Sequence, residues 1–280
     1  MAEAPEAAPT TLVISDVDGT LVTTDKRLTP EAIAAVQSLK AAGVRFTLIS
    51  SRPPRGMAAV ADALGVTEPM AAFNGGTLFA PDQRLIEAHR LEAPAASEAI
   101  GRLEGEAVEV WVYADAAWLA KDPTGPRVDL ERRTIGFGPT VVPGFQEVMG
   151  RIDKIVGVSD DHALLARLHG ELGKTLKGCA QVEQSQAYYL DVTHPLANKG
   201  DGVRALCRRM GVALENTAVV GDMFNDVAMF KVAGFSVAMG QSPNEVKAAA
   251  AAASPTGNDA DGFAQAASGI LLPRIRETAR

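Results

Sequence analysis

Two acidic pairs carry the chemistry this sequence could do. The stretch VISDVDGTLV, Val13 to Val22, sets Asp16 and Asp18 directly behind an apolar run and follows them with Gly19 and Thr20. Much later, AVVGDMFNDVAMF sets Asp222 behind Gly221, with Asp226 near the start of the next helical stretch. Two carboxylates at i and i+2 repel each other unless something positive sits between them, although an Asp-x-Asp-Gly loop can also be a hydrogen-bonded turn. An acid in a first helical turn complements the helix dipole, which is the ordinary reading of Asp226 taken alone. Asp222 is different, because in open α/β sheets the functional crevice lies at the C-terminal ends of the strands. If Asp16, Asp18 and Asp222 converge there, the cluster demands a cation. Oxygen ligands without sulfur or histidine favour Mg²⁺, an ion that commonly shares its coordination with a substrate phosphate.

Other residues suit a phosphate. Ser50 ends an apolar run and offers a hydroxyl together with nearby backbone N–H groups. Lys199, in ANKGDG just before a helical stretch, offers a point charge, although a lysine taken alone is more often a solvated one. Asn74 and Gly75 end a third apolar run, where an ordinary turn reads equally well.

The elements that must position these residues follow from pattern. Val13 and Ile14 argue a buried strand. Thr29-Pro30-Glu31 opens a helix with a cap and a proline in its first turn, Ile33, Val36 and Leu39 follow at helical spacing, and Gly43 ends it. VRFTLIS is a second strand, Arg55 to Leu64 a helix stopped by Gly65, and MAAFNGG a third strand with a turn. This alternation predicts a parallel sheet covered by helices. The middle reads differently: EVWVYA and AWLA as paired short strands, then RIDKIVGVS, ARLHGELG and AYYLDVT as strand, helix and strand. Afterwards the α/β rhythm returns through KGDGVRALCRRMGV, TAVVGD, NDVAMFKVAG and FSVAMG. The Ala-rich run from Lys247 to Pro255 favours helix.

Composition narrows the classes. At 280 residues, with a formal net charge of −7, the chain presents no general electrostatic case for nucleic acid or an anionic membrane. No apolar run approaches the roughly 20 residues that span a bilayer. Cys179 and Cys207 imply no disulfide framework and fit a reducing compartment, so the cytoplasm is the expected location. Residues 1–10, rich in Ala, Pro and Glu, read as a loose tail rather than a signal peptide.

DVDGTL, SSR, NKG and GDMFND, in this order, resemble the four motifs of the haloacid dehalogenase superfamily. More narrowly, the chain resembles its Cof-type phosphatases, which carry a large α/β cap (type IIB) between the second and third motifs. The resemblance implies a Rossmann-like core from residues 11–84 and 194–280 and an inserted α+β cap over 85–193, with hinges near Pro81–Leu85 and Thr193–Lys199. It implies a Mg²⁺-dependent phosphatase acting on a small phosphorylated metabolite, a sugar phosphate above all, through an aspartyl-phosphate. Asp16 matches the nucleophile and Asp18 the general acid/base. Asp16 and Asp222 match side-chain ligands of the metal, with Asp18 contributing its backbone carbonyl, and Asp226 matches an acid supporting the metal shell. Ser50 and Lys199 match the phosphate-binding residues, and Asn225, Asn74 and Gly75 match positions lining the phosphate pocket. Ser51 departs from the pattern, where the relatives usually carry glycine, so Ser50 or Ser51 supplies the hydroxyl, with alignment favouring Ser50.

Asp18 argues against a dehalogenase, which needs no acid/base at that position. A phosphomutase of the same superfamily and a non-catalytic phosphate-binding module stay as alternatives. Specificity is expected in the cap, where Tyr113, Trp118, His162 and Arg133 are chemically able to contact a sugar. Nothing in the sequence reads out an oligomeric state.

Overall fold

The computed structural model describes residues 8–106 and 108–277. Most of the tail expected at 1–10 therefore lies outside the described residues. The chain opens with β1 (Leu12–Ser15), α1 (Pro30–Ala41), β2 (Arg45–Leu48), α2 (Pro54–Leu64), β3 (Met70–Ala72), β4 (Thr77–Phe79) and β5 (Leu85–Ala88). Its middle comprises α3 (Ala93–Glu104), β6 (Glu109–Ala114), β7 (Ala117–Ala120), α4 (Val128–Ile135), β8 (Thr140–Val141), β9 (Ile152–Val158), α5 (His162–Thr175), β10 (Gln181–Gln186) and β11 (Tyr189–Thr193). It returns through α6 (Lys199–Met210), β12 (Thr217–Gly221), α7 (Val227–Phe230), β13 (Phe235–Ala238), α8 (Asn244–Ala249) and β14 (Ala252–Ala253), and closes with α9 (Gly262–Ala266) and α10 (Leu272–Glu277).

The central sheet is parallel, in the order β14-β13-β12-β1-β2. Its inner strands β1 and β12 are buried on both faces, which explains their continuous apolar runs. In β1, Leu12 and Ile14 pack against Val203, Leu206 and Met229 of α6 and α7, while Val13 joins Val36, Leu39 and Met57 of α1 and α2 on the other face. The first helix begins as the sequence predicts: the Thr29 hydroxyl accepts from the Ala32 N–H at 3.1 Å. Such a cap contributes about 1 kcal/mol.

The middle of the chain builds a second sheet, in the order β10-β11-β9-β6-β7-β8. Alternation sorts its residues cleanly. Val110, Val112 and Ile155 pack under α3 and α5, whereas Trp111, Tyr113, Trp118 and Val156 face the other way and join the core cluster of the central sheet. The helix α4 lies on that inward side. A Cβ at Gly56 of α2 would stand 3.0 Å from the Cβ of Ile135, so the absence of a side chain there lets α4 settle on α2.

Three elements differ from the sequence reading. Leu85–Ala88, placed at the start of the insert, instead pairs antiparallel with β4 in a small sheet with β3. The crossing into the second sheet thus falls after Ala88, where the Leu91 N–H bonds to the Ile152 carbonyl. The return crossing follows Thr193, and the rings of His89 and His194 stack between the two crossings at 5.3 Å. The alanine run is helical only through Ala249; Ala252 and Ala253 then pair with Val237 and Ala238 as an edge strand, because strand pairing overrides a modest helix propensity. The helix expected after Asn225 is the single turn of α7.

Candidate active site

The C-terminal ends of β1, β2 and β12 bring the sequence-predicted residues to one edge. Asp16 follows β1, Ser50 follows β2, Asn74 and Gly75 follow β3, and Asp222 follows β12. The first turn of α6 adds Lys199, whose start is fixed by Asn198 accepting from the Asp201 N–H at 3.0 Å.

Lys199 is the hub. Its ammonium, 1% exposed, donates to Asp16 Oδ1 at 2.6 Å and to Asp226 Oδ1 at 2.5 Å. The other oxygen of Asp226 accepts from the backbone N–H groups of Asp222 and Met223 at 2.7 and 2.9 Å. Asp226 therefore shapes the loop that presents Asp222 and orients the lysine as well. Burial works against the Lys199 charge, but Asp16 and Asp226 outweigh it and hold its pKa above the ordinary lysine value.

Asp16, Asp222 and Asp226 are all buried and offer carboxylate oxygens within 4.8 Å of one another. Burial raises the Asp16 carboxyl, Lys199 pulls it back and Asp226 adds to the rise. For Asp222, burial comes first, then the charges of Asp16 and Asp226. Negative charge packed this tightly, with one ammonium among three acids, fits a bound cation. Gly19 makes the packing possible: its φ is +79°, and a Cβ there would stand 2.2 Å from Asp222 Oδ2. The glycine after the two acids is thus both a left-handed turn and a close approach. Gln241 ties the same spot, donating to the Gly19 carbonyl at 2.6 Å.

Asp18 points elsewhere. Arg52 grips it with two parallel hydrogen bonds, Nε to Oδ2 at 2.7 Å and the terminal nitrogen to Oδ1 at 2.8 Å. Lys26 adds a third at 2.8 Å. Burial raises the Asp18 carboxyl, yet Arg52 and Lys26 overcome it and hold it well below the usual carboxylate range. Its side chain is outside the acidic triad.

Beside this cluster, Ser50 is fully buried and its hydroxyl accepts from the Arg52 N–H at 3.2 Å, while Ser51 is half-buried. The Asn74 N–H bonds to the Ser50 carbonyl at 2.8 Å, and Asn225 donates to Asn74 Oδ1 at 3.2 Å, lacing three loops together. Gly75, at φ +98°, lies against α6, where a Cβ would meet the Gly202 Cα at 2.6 Å.

Sequence reasoning missed Lys26, Gln241 and the role of Arg52. SSR contains the arginine, but nothing local shows that it reaches back 34 residues to Asp18. Among the four cap candidates, Tyr113 faces the core, with its ring 5.6 Å from that of Phe73, and Trp118 is buried beside it. His162 is exposed at the start of α5, a helix on the opposite face of the second sheet, and Arg133 is exposed on α4.

Fold and site define a class: an α/β protein with a central parallel sheet and a buried carboxylate cluster at the strand ends. Residues 13–266 match the family model of haloacid dehalogenase-like hydrolases, and the chain belongs to that family. A Haemophilus influenzae protein is 30% identical over 256 residues, covering 90% of this chain and 95% of that protein. The pyridoxal phosphate phosphatase YbhA of Escherichia coli is 27% identical over 251 residues, covering 86% of this chain and 92% of YbhA. A haloacid dehalogenase-like hydrolase from Bacteroides thetaiotaomicron superposes with a TM-score of 0.82 at 25% identity, covering 93% of this chain and 99% of that one. The fold is also that of a HAD subclass IIB sugar phosphatase, with a TM-score of 0.82 at 21% identity and coverage of 94% and 100%. Phosphatase is accordingly the activity of this chain. Hydrolases of this family generally use a divalent metal, and the buried acidic group could hold one. Among the described residues, no helix is long and apolar enough to cross a membrane.

Proposed function

We propose that the protein is a Mg²⁺-dependent phosphatase of small phosphorylated metabolites, sugar phosphates above all, acting through an aspartyl-phosphate on Asp16. The observation that carries this reading is the convergence of Asp16, Asp222 and Asp226 around one buried lysine at the strand ends. Asp16 and Asp222 would hold the metal, with the Asp18 carbonyl; an all-oxygen set suits Mg²⁺. Bound there, the ion supplies positive charge that lets a carboxylate approach a phosphate dianion. Asp226 fixes Lys199 and the Asp222 loop.

An Asp16 oxygen attacks phosphorus in line with the ester oxygen, and the bond to the leaving oxygen breaks as the aspartyl-phosphate forms. Ser50, Lys199, Asn74, Gly75 and Asn225 line the phosphate pocket. Asp18 gives its proton to the leaving alkoxide and then takes one from the water that attacks the aspartyl-phosphate, which releases phosphate and restores Asp16. Held by Arg52 and Lys26, Asp18 is in its base form, so the proton-donating form requires it to turn from Arg52 toward the leaving oxygen. The segment that carries the second sheet, roughly 89–193, acts as a cap that excludes water and contacts the leaving group. The substrate class draws support from the sugar phosphatase of the same fold. A cytoplasmic location and the absence of a nucleic-acid partner are proposed with it, on the two unpaired cysteines and the net charge of −7.

Hydrolysis of p-nitrophenyl phosphate by the full chain tests the reading. Turnover should need Mg²⁺, cease in EDTA, and fall with metal affinity in Asp222→Asn. Undiminished turnover in EDTA would overturn the metal assignment.

A further inference from the structure

The inward face of the second sheet carries a polar set that the reaction steps do not use. Tyr113, Lys154 and Asp191 share that face, because Tyr113 pairs with Lys154 across β6 and β9 and Asp191 lies on the same side of β11. Lys154 donates to Asp191 Oδ2 at 2.9 Å, and its ammonium sits 5.8 Å from the centre of the Tyr113 ring. Asp191 is 3% exposed, yet its Oδ1 is buried without a hydrogen-bond partner. A buried carboxylate oxygen left unpaired is costly and calls for a donor.

Glu131 of α4 joins this set from above. Its carboxylate accepts from Tyr113 Oη at 2.7 Å and more loosely from Tyr189 Oη at 3.4 Å. Those contacts leave lone pairs for further donors, since a carboxylate offers about four acceptor positions. A chain of contacts links the Glu131 helix to Asp18. Ile135, one turn on and on the same helix face, rests on Gly56. The Gly56 carbonyl accepts from Arg52 at 3.1 Å, and Arg52 holds Asp18. Burial pushes the Glu131 carboxyl upward, Lys154 and the Tyr113 hydroxyl pull it back, and Asp191 and Asp18 add to the rise. Glu131 keeps part of its surface exposed, whereas Tyr113, Tyr189, Lys154 and Asp191 are buried.

A half-buried carboxylate with unused acceptor positions, held by two tyrosine hydroxyls on the inward face of the second sheet, suits one chemistry: a leaving group bearing several hydroxyls. We propose that Glu131, oriented by Tyr113 and Tyr189 and backed by the Lys154–Asp191 pair, is a specificity-determining acceptor that binds the hydroxyl donors of the leaving group. This rests on the phosphatase reading above.

The test compares Glu131→Gln and Tyr113→Phe with the unaltered full chain, all with Mg²⁺, on p-nitrophenyl phosphate and on a panel of pentose, hexose and polyol monophosphates. Thermal melts of all three proteins accompany the kinetics. For the best hydroxylated substrate, Glu131→Gln should raise KM and lower kcat/KM by about 10- to 100-fold, the worth of hydrogen bonds to a charged acceptor. Tyr113→Phe should show a smaller loss of the same kind. For p-nitrophenyl phosphate, which offers no hydroxyl, kcat/KM should stay within about 3-fold of the parent in both variants, a change too small to represent a lost hydrogen bond. Equal losses on both substrate types would make Glu131 a structural residue and overturn the inference, as would no loss on either. A parent enzyme that prefers a leaving group without hydroxyls would overturn it while leaving the phosphatase reading intact. A parent inactive on every ester would overturn the phosphatase reading itself, and the inference with it.

Discussion

Asp222 and Asp226 lie four residues apart, yet replacing each by asparagine should move the stability of the metal-free protein in opposite directions. Asp226 is fully buried, and each of its oxygens is used: one by Lys199 at 2.5 Å, the other by two backbone N–H groups. In Asp226→Asn the amide oxygen can keep the backbone bonds, but its NH₂ then faces the Lys199 ammonium, donor to donor. Removing one partner of a buried pair costs about 3–5 kcal/mol, and Lys199 retains Asp16 at 2.6 Å, so the lower end applies. For a chain of this size that is a loss of about 6–12 °C in Tm, at about 2–4 °C per kcal/mol. The Asp222 carboxylate has no such partner; among the described residues its one hydrogen bond is from Gln241 at 3.5 Å. Two full charges no more than 4.8 Å apart repel by at least about 3.5 kcal/mol at an effective dielectric of about 20, and shared protonation reduces this. Asp222→Asn should therefore stabilise the metal-free protein by about 1–3 kcal/mol. Thermal melts in EDTA at pH 7 read both. Shifts of the same sign, or a loss below about 1 kcal/mol in Asp226→Asn, would refute the division of labour between the two acids.

Two further outcomes follow from the same cluster. Asp16 and Asp222 titrate in the folded metal-free protein at about 7 and about 8, against an ordinary 3.8. Folding thus favours their protonated forms, so their contribution to stability is greatest near pH 4, falls as pH rises to about 8 and then levels; saturating Mg²⁺ should remove that part of the fall in melts run across the range. Gly19→Ala forces a Cβ to 2.2 Å from Asp222 Oδ2 at a left-handed φ, and should cost about 2 kcal/mol or more together with most of the Mg²⁺ affinity read by calorimetry. Wild-type affinity in that variant would show that the loop after β1 does not shape the metal position.

The positions of Asp16, Asp18 and Asp222 were legible because buried parallel strands write themselves as apolar runs, and an acid at the end of such a run is conspicuous. Lys199 was legible through its place in NKG at the start of a helical stretch. Other contacts left no local mark. Lys26 sits in a polar loop at φ +62°, and only the tertiary fold turns it onto Asp18. The helix carrying Glu131 starts after Arg127, which is in the left-handed region and gives no capping side chain, so the usual start signal is missing. Leu85–Ala88 looked like the opening of the insert because its partner, Thr77–Phe79, is recognisable only once the hairpin has formed. The alanine run misled for the opposite reason: its local preference is clear, but the edge of the sheet claims Ala252 and Ala253.

The most direct measurement is rapid-quench turnover of a ³²P-labelled phosphate ester with Mg²⁺, followed by mapping of the acid-trapped label on the chain. The expected result is label on Asp16 in the parent enzyme, slower to form and longer-lived in Asp18→Asn, where an amide can neither protonate the leaving oxygen nor activate the hydrolytic water, and none in Asp16→Asn. Label on any other residue, or full turnover by Asp16→Asn, would contradict the assignment of Asp16 as the nucleophile.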